Sequence, residues 1–404
     1  MINLEVPKKF RPLVDQAHQV AMEVFRPISR KYDEAEHTYP KELDMLAALI
    51  DGMSDGGESG GAGAAGVRRS GGESPGVRNG SNMSTALSIM ELCWGDVGLL
   101  LSMPRQGLGN SAIASVADDE QRERFNGMWA AMAITEPGAG SDSAAIRTTA
   151  VLDEDTGEYV LNGEKIFVTS GDRADLIVVW ATLDRSLGRA AIKSFVVERE
   201  NPGLHLDRLE HKLGVRASDT ANFRLEDCRV PRENLLGSPE VDAGRGFAGV
   251  MQTFDNTRPL VAAMAVGLTR ACLQETRRLL VGEGVCADPD TPAALQSAAA
   301  AELLSMDADY ESARLLTLQA SWMADNSRPN SLQASMAKAK AGRTCVDVAM
   351  RCVRLCGPLG YGQELLLEKW ARDAKILDLF EGTQQIQLLI IARQLLGKTS
   401  AELR

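Results

Sequence analysis

A change of hydrophobic period in the middle of the chain constrains the fold most. Between about Thr148 and Pro231, short runs rich in β-branched and aromatic residues replace the three- and four-residue spacing found elsewhere. These runs are EYVLNGEKIFVTSG, LIVVWATL, IKSFVVE and ANFRLEDCRV. The dipeptide Asn162-Gly163 is the strongest short hairpin signal among them, so we expect a turn there. The segment predicts a compact β domain.

Helical periodicity lies on both sides of this segment. Apolar residues recur at helical spacing from Phe10 to about Ile50, from Ser84 to Leu101 and from Asn110 to Asn126. The pattern then runs almost unbroken from Ala243 to the end of the sequence. The order of helices, strands and helices predicts an α+β multidomain chain. The predicted domains are residues 1–128, 129–236 and 237–404.

Residues Asp51–Asn82 interrupt the first helical region. The segment is dense in Gly and Ser and has hardly any large apolar side chain. It cannot bury enough apolar surface to offset the entropy that is lost on ordering. We therefore predict a flexible loop, with a functional lid as the alternative.

Composition limits the partners and the compartment. The 404 residues carry 44 Lys and Arg against 55 Asp and Glu, a formal net charge of −11, and an acidic surface repels nucleic-acid phosphates. Seven scattered cysteines suggest a reducing compartment, and the start MINLEVPKKFRPLVDQ lacks the apolar core of a signal peptide. No apolar run approaches the roughly 18 residues that span a bilayer. We expect a cytoplasmic protein without a membrane span or a nucleic-acid partner.

Common catalytic and metal-binding signatures are missing from the sequence. None of the four histidines stands near a cysteine or carboxylate at metal-ligand spacing. Cys352 and Cys356 share a helix face but lack a second ligand pair, which favours buried apolar cysteines over a metal site. The chain has no G-x-S-x-G elbow, no P-loop and no strand-borne G-x-G-x-x-G. We therefore predict no metal site.

Four segments remain that could carry chemistry. In residues 133–142, AITEPGAGSD, a proline fixes a turn and two glycines admit a ligand close to the backbone, although a plain structural turn explains the segment equally well. Residues 165–171, KIFVTSG, end a strand in polar side chains. Residues 254–259, FDNTRP, are expected to open a long helix with the proline in its first turn. In residues 379–387, LFEGTQQIQ, Glu381 lies between an apolar stretch and a glycine.

These motifs, in this order, resemble those of the acyl-CoA dehydrogenase family. TEPGAGSD precedes the β segment, NGEKIFVTSG lies within it, KLGVRASDTANFRLEDCRVPRENLLG closes it, and FDNTRP and RDAKILDLFEGTQQIQ mark the C-terminal helices. The resemblance covers nearly all of the chain except Asp51–Asn82. It implies an N-terminal helical domain, a central β-barrel-like domain and a C-terminal helical bundle. It also implies FAD as the cofactor and an acyl-CoA as the substrate.

The resemblance further implies a desaturation, in which a carboxylate removes the α-proton of the acyl-CoA while hydride leaves Cβ for N5 of FAD, giving a trans-2-enoyl-CoA. Glu381 occupies the position of that base in one group of relatives. The base needs a raised pKa in a dry pocket, which neighbours such as Leu379 and Phe380 could provide. Other relatives carry the base at the position of Thr257, where threonine cannot serve. The backbone N–H of Glu381 and a flavin hydroxyl are implied to polarise the thioester carbonyl.

By the same resemblance, Thr135 and Ser141 contact the flavin and its pyrophosphate, and Thr169 lies beside flavin N5. Phe167 stands where relatives usually carry Trp and still covers the ring, with less area. Arg258 matches a residue near the substrate, although an ion pair with Asp255 or another acid explains it nearly as well. The full assignment is Thr135, Gly140, Ser141, Phe167, Thr169, Thr383 and Gln385 for FAD, and Arg258 and Gly382 for the substrate.

The segments by which homo-oligomers of the family hold the neighbouring subunit's FAD are not intact. The R-x-x-F-G positions fall on Glu283 and Cys286, and the Q-x-x-G-G segment reads Arg354-Leu-Cys-Gly-Pro358. A carboxylate repels a pyrophosphate, and Pro358 lacks an N–H. We therefore expect the catalytic subunit of a hetero-oligomer with a related chain, as α2β2. A homotetramer that holds FAD differently is the alternative.

The resemblance implies a dehydrogenase of fatty-acid β-oxidation, which passes electrons to an electron-transferring flavoprotein. Two other roles are open to a chain of this fold. One is an acyl-CoA oxidase, which passes electrons to oxygen, and the other is a non-catalytic scaffold subunit. A non-catalytic scaffold subunit would be expected to lose Glu381 or the pair Thr135 and Thr169. Acyl depth depends on residues near Leu99–Pro104, and the sequence leaves short, medium, long, branched and steroid-derived acyl groups open.

Overall fold

A computed structural model describes residues 6–53, 80–104, 108–241, 248–399 and 402. Most of the predicted Gly- and Ser-rich loop, residues 54–79, lies outside the described residues. Both ends of the predicted loop are helical instead, because one helix continues to Met53 and the next begins at Ser81. The second of these helices is capped by Asp325, whose carboxylate accepts from Asn82 N at 2.9 Å and from Met83 N at 3.0 Å. A cap that lies so far away in sequence cannot be read from local composition.

In the described part of the chain, seven α-helices precede the sheet. A short π-helical turn, Ala21–Phe25, joins the first two. In the described residues between Phe25 and Met103, apolar side chains spaced by three and four face a core shared with the C-terminal helices, as the periodicity predicts. Ala112, Ile113 and Phe125 pack against the sheet instead. The helices are α1 (Arg11–Val20), α2 (Arg26–Glu34), α3 (Glu42–Met53), α4 (Ser81–Gly95), α5 (Val97–Leu101), α6 (Leu108–Val116) and α7 (Asp119–Arg124).

The middle of the chain, described without a gap from 108 to 241, forms a seven-stranded sheet. The strands are β1 (Ala130–Ala133), β2 (Thr149–Asp153), β3 (Glu158–Thr169), β4 (Leu176–Thr182), β5 (Ile192–Glu198), β6 (Leu204–Leu209) and β7 (Thr220–Pro231). Their order is β1-β4-β2-β3-β7-β6, and β5 pairs with β4. All seven residues of β4 are buried, because separate apolar clusters cover the two faces of the sheet. The strands lie within the predicted domain 129–236, whose exact boundaries stay a prediction.

The predicted hairpin at Asn162-Gly163 is wrong. Both residues lie inside β3, and the turn that joins β2 to β3 is formed by the residues just before Glu158. Gly163 is needed for close packing instead, since a Cβ there would lie 2.4 Å from Thr148 Oγ1. An Asn-Gly pair favours a turn, but a glycine inside a strand can also mark a site where another part of the chain approaches closely. Here that part is Thr148, and the strand continues past it.

Between residues 248 and 399, five α-helices follow the sheet. They are α8 (Ala248–Gly282), α9 (Ala298–Asp325), α10 (Ser331–Tyr361), α11 (Leu367–Leu377) and α12 (Gln384–Leu396). The expectation that FDNTRP opens a helix is wrong, because α8 begins at Ala248 and Pro259 lies inside it. The proline removes one helical hydrogen bond, but the residues that follow it, including Leu260 and Ala262, are buried in the core, and this packing holds the helix. The observed architecture is α+β, with helices on both sides of a central curled sheet in chain order.

A fully buried charge cluster joins the three regions. Lys369 and Asp373 on α11 form an ion pair of 2.7 Å, and Lys369 also pairs with Asp96, which caps α5. Asp373 accepts from the backbone N of Val215 at 2.5 Å, in the loop between β6 and β7. Burial raises the pKa of Asp373, and the two carboxylates raise that of Lys369. The cluster fixes α11 and the segment after it against the sheet and the N-terminal helices.

Candidate active site

Glu381 lies in the short connection between α11 and α12. Both Glu381 and Gly382 have positive φ, of 56° and 91°. Thr383 then caps α12, since its hydroxyl accepts from Ile386 N at 3.4 Å. The connection thus places the Glu381 carboxylate between the end of α11 and the capped start of α12.

The Glu381 carboxyl is surrounded by groups of α8 and α10. Thr257 Oγ1 donates to Glu381 Oε2 at 2.7 Å. Burial raises the pKa of Glu381 above its usual value, while the Thr257 hydrogen bond and the positive charges of Arg258 and Lys338 act in the opposite direction. Arg258 is itself buried, at 3% exposure. The result is a carboxyl that is harder to ionise than an ordinary glutamate but still has partners for its charged form.

The predicted source of this desolvation is only partly right. Leu379 is 43% exposed, so it does not form part of a closed apolar wall. Phe380 is partly buried and packs against the helical core. Helices α8 and α10, which lie far from Glu381 in sequence, also border the carboxyl, and their Thr257, Arg258 and Lys338 stabilise its charged form.

A second group of predicted residues is gathered by a buried ion pair. Lys165 Nζ on β3 donates to Glu136 Oε1 at 2.8 Å, and the same carboxylate accepts from Arg147 N at 2.6 Å and from Thr148 N at 2.9 Å. Lys165 Nζ also donates to Ile134 O at 3.1 Å. Burial lowers the pKa of Lys165 to about 8, and the lysine and the hydrogen bonds hold that of Glu136 below its usual range. The pair fixes the TEPGAGSD loop to β3.

Sequence reasoning missed this pair, although both residues lie in motifs that it singled out. Both side chains are buried in the structure. Neither residue type is found fully buried without a partner. Burial of either residue would have pointed to an oppositely charged partner, but the sequence pattern did not indicate that burial.

The loop and β3 present their remaining groups at one edge of the sheet. Ile166 N donates to Thr135 O at 2.9 Å, which places Thr135 beside the strand. A bulge between Lys165 and Val168 gives Phe167 a positive φ of 59° and leaves its side chain 59% exposed. Gly140 and Ser141 are exposed in the loop, and Thr169 at the end of β3 is partly buried.

This edge suits a flat ring attached to a phosphate. An exposed aromatic face offers stacking, and hydroxyls and loop amides offer hydrogen bonds. Space for close approach exists at Gly140, where a Cβ would meet nothing nearer than Thr135 Cγ2 at 3.9 Å. The residues present therefore fit a flavin nucleotide.

The two groups are linked through α5 and the start of α11. Ser170 Oγ, directly after β3, donates to Leu101 O at 3.3 Å. Arg173 donates to Ser102 O at 3.3 Å. The charge cluster around Asp373 then joins α5 and the sheet to the helix that leads to Glu381. Of the other predicted residues, Gln385 is exposed on α12.

Comparisons with known proteins agree over most of the chain. Residues 131–228 match the family model described as the acyl-CoA dehydrogenase middle domain, and residues 244–396 match that of the C-terminal domain. The mitochondrial short-chain specific acyl-CoA dehydrogenase of Rattus norvegicus is 33% identical over 406 residues, which cover 98% of this chain and 92% of that protein. The chain belongs to the acyl-CoA dehydrogenase family.

Solved structures show the same family relationship. Butyryl-CoA dehydrogenase from Megasphaera elsdenii has a TM-score of 0.82 at 28% identity, covering 98% of this chain and 100% of that one. A chain of the structure described as the electron transferring flavoprotein of Acidaminococcus fermentans has a TM-score of 0.83 at 29% identity, covering 98% and 100%. Acyl-CoA dehydrogenases are FAD-dependent flavoproteins, so the predicted family, fold class, enzyme class and cofactor are confirmed at the level of the family.

The acyl-CoA dehydrogenase resemblance named two positions for the base, and the structure brings them together. The hydroxyl of Thr257 is in hydrogen-bond contact with the Glu381 carboxyl, although 124 residues separate them. A carboxylate at either position would therefore reach the same place. In this chain Glu381 fills that place, and Thr257 is its hydrogen-bond donor.

The altered partner-facing segments of the acyl-CoA dehydrogenase pattern lie at the surface. Glu283 and Cys286 are exposed after the end of α8. Gly357 has a φ of 56° and marks a kink in α10 just before Pro358. Arg354 pairs with Glu302 on α9. The structure therefore places both segments where another chain could reach them.

One cluster in the described residues bears on the prediction of no metal site, which rested on the sequence spacing of the histidines. Glu36, His37 and His211 bring one ligand atom each to within 4.8 Å of one another. Glu36 Oε2 lies 2.9 Å from His211 Nδ1. The positive charges of Lys212 and Arg216 act on the same groups, which disfavours a cation.

Within the described residues, no helix is both long and apolar enough to cross a membrane.

Proposed function

We propose that this chain is an FAD-dependent dehydrogenase of short-chain acyl-CoA thioesters, which forms a trans-2-enoyl-CoA with Glu381 as the catalytic base. The observation that carries the proposal is the Glu381 carboxyl, whose pKa is raised by burial and which has a hydroxyl partner in Thr257. An α-proton beside a thioester is a weak acid. A base with a raised pKa removes it more effectively than an ordinary carboxylate.

Glu381 carries the proton transfer. Its ionised carboxylate accepts the α-proton of the bound thioester, and the protonated form is then stabilised by the buried surroundings. The Glu381 backbone N–H donates to the thioester carbonyl, where negative charge develops during proton removal. Arg258, buried beside the carboxyl, keeps the base ionised before substrate arrives.

The edge formed by the TEPGAGSD loop and β3 holds the cofactor. Thr135 and Ser141 would contact the flavin and its pyrophosphate, with Gly140 between them in the loop, and Phe167 and Thr169 would contact the ring. Thr383 and Gln385, at the start of α12, complete the set. When it is bound, FAD supplies the acceptor for the hydride that leaves Cβ.

A short acyl chain is the substrate that the available observations favour. The rat relative is named for short-chain acyl-CoA and the Megasphaera elsdenii structure for butyryl-CoA. In the segment expected to set acyl depth, Leu99, Leu100 and Met103 are buried in the helical core. Side chains that are already packed leave less room for a long acyl tail.

We further propose that the chain acts as the catalytic subunit of a hetero-oligomer in the cytoplasm and passes electrons to an electron-transferring flavoprotein. Exposed apolar residues on α12 support an oligomer, because contiguous apolar surface of this kind usually packs against another chain. They are Leu388, Leu389, Leu395 and Leu396. The altered segments at Glu283 and Pro358 support a non-identical partner. A homotetramer remains the alternative assembly.

The experiment mixes the purified protein, with and without a co-expressed relative, with butyryl-, octanoyl- and palmitoyl-CoA in the absence of oxygen. We expect bleaching of flavin absorbance that is fastest with butyryl-CoA. Bleaching should be lost in Glu381→Gln and kept in Glu123→Gln, a matched change at an exposed position. Rapid reoxidation by air would favour an oxidase. If the protein contains FAD but none of the three acyl-CoA thioesters bleaches it, the scaffold alternative is favoured.

A further inference from the structure

The backbone of the Glu381 turn is held from two sides. Lys338 Nζ on α10 donates to Gly382 O at 2.7 Å. Gln387 Nε2 on α12 donates to Glu381 O and to Gly382 O, each at 3.1 Å. The fit is close, since a Cβ on Gly382 would lie 2.5 Å from Gln387 Nε2. Both carbonyls of the strained turn therefore have donors from outside the turn.

Helix α10 is held against α11 on the same face that carries Lys338. Gly342 lies one helical turn after Lys338, and a Cβ there would be 2.6 Å from Leu377 O, at the end of α11. The helices therefore meet closely just before the turn. This packing keeps the backbone that carries Lys338 close to the turn, where Lys338 Nζ reaches Gly382 O.

Lys338 is an unusual group for such a place. Its side chain and that of Gln387 are both fully buried, at 0% exposure. A buried ammonium group is costly unless charges or carbonyls compensate it. Burial lowers the pKa of Lys338 to about 8, and Asp378 and Glu381 oppose this effect. Near neutral pH the amine therefore still carries a positive charge beside Glu381.

We propose that Lys338 is a positioning residue for Glu381, which holds the turn through the Gly382 carbonyl and keeps the carboxyl ionised through its positive charge. This inference rests on the proposed role of Glu381 as the base. The charged groups that act on this site are Arg258 from α8, Lys338 from α10 and Asp378 at the end of α11. Gln387 performs only the first of the two tasks, because its amide carries no charge.

Three variants separate the charge of Lys338 from the hydrogen bonds that hold the turn. Lys338→Met removes the charge and a hydrogen bond to the turn, and Lys338→Arg keeps the charge. Gln387→Leu removes hydrogen bonds to the turn but no charge. We measure the pH dependence of anaerobic flavin reduction by butyryl-CoA. Removing the positive charge raises the pKa of Glu381, so the acid limb of the profile should move to higher pH in Lys338→Met. In Gln387→Leu the limb should stay in place while the rate falls about 10- to 100-fold, as expected for a displaced base.

A second measurement does not need turnover. Infrared difference titration of the Glu381 carboxyl, assigned by its loss in Glu381→Gln, should show the same upward shift in Lys338→Met and no shift in Lys338→Arg. Should Lys338→Met not fold, Lys338→Gln replaces it, since it removes the charge but keeps a donor. An acid limb and a carboxyl titration that stay unmoved in the uncharged variants would overturn the proposal. Absence of flavin reduction in the wild type, or its persistence in Glu381→Gln, would instead reject the proposed function.

Discussion

Two opposing influences set the protonation of Glu381. Burial favours the neutral acid, whereas Thr257, Arg258 and Lys338 favour the carboxylate. A base that removes a weakly acidic proton needs this balance, because full ionisation with a low pKa would make it too weak an acceptor. The motif around Glu381 predicted the residue. Two of its partners, Thr257 and Arg258, lie in the FDNTRP motif on α8, whereas no sequence pattern indicated Lys338 on α10.

Substitution of Thr257 tests this balance. The hydroxyl donates to the charged form, so Thr257→Val should raise the pKa of Glu381 and move the acid limb of flavin reduction to higher pH. On that limb the rate should fall roughly tenfold, since a hydrogen bond to a charged group contributes about 1.5 kcal/mol. Thr257→Ser keeps the donor and should keep the wild-type profile. Identical profiles for the valine and serine variants would show that the hydrogen bond does not tune the base.

At the scale of elements, β3 and the TEPGAGSD loop behave as one unit because of the Glu136–Lys165 pair. The sequence predicted both segments and their proximity to FAD. It predicted the wrong turn at Asn162-Gly163, because the reason for that glycine is the approach of Thr148, a tertiary contact. The prediction that Pro259 lies in the first turn of a helix was wrong for a similar reason. The packing of α8 against the core stabilises a helix that continues through the proline.

Breaking the Glu136–Lys165 pair should release the loop. Lys165→Met leaves a buried carboxylate without its cation, and we expect a loss of about 3–5 kcal/mol in the free energy of unfolding. FAD content after gel filtration should fall as well, because the loop carries Thr135 and Ser141. Denaturant unfolding and flavin absorbance measure the two effects. The control Lys41→Met changes an exposed lysine just before α3, and a comparable loss there would show that the pair has no special role.

At the scale of the whole molecule, the Asp96–Lys369–Asp373 cluster fixes the helices and the sheet relative to each other. The order of helices and strands was predictable from hydrophobic period alone. The way in which the three regions meet was not, because it depends on charges that lie far apart in sequence. The same limit holds for α4, whose N-terminus is capped by Asp325 on α9.

The assembly gives a prediction at this scale. The chain purified alone should contain less than one FAD per subunit, because Glu283 and Pro358 cannot supply the usual contacts to a neighbour. Co-expression with a related chain should restore the FAD content of the complex. Analytical ultracentrifugation with flavin absorbance measures size and occupancy together. A homotetramer of this chain alone with stoichiometric FAD would contradict the hetero-oligomer.

The most direct test of the central claim is the rate of anaerobic flavin reduction by butyryl-CoA that carries deuterium at Cα. Proton removal by Glu381 predicts slower bleaching with the deuterated thioester than with the unlabelled one in the wild type. It also predicts no bleaching in Glu381→Gln that still holds FAD. Bleaching in Glu381→Gln at the wild-type rate, or none in a folded wild-type complex with FAD bound, would contradict the assignment of Glu381 as the base.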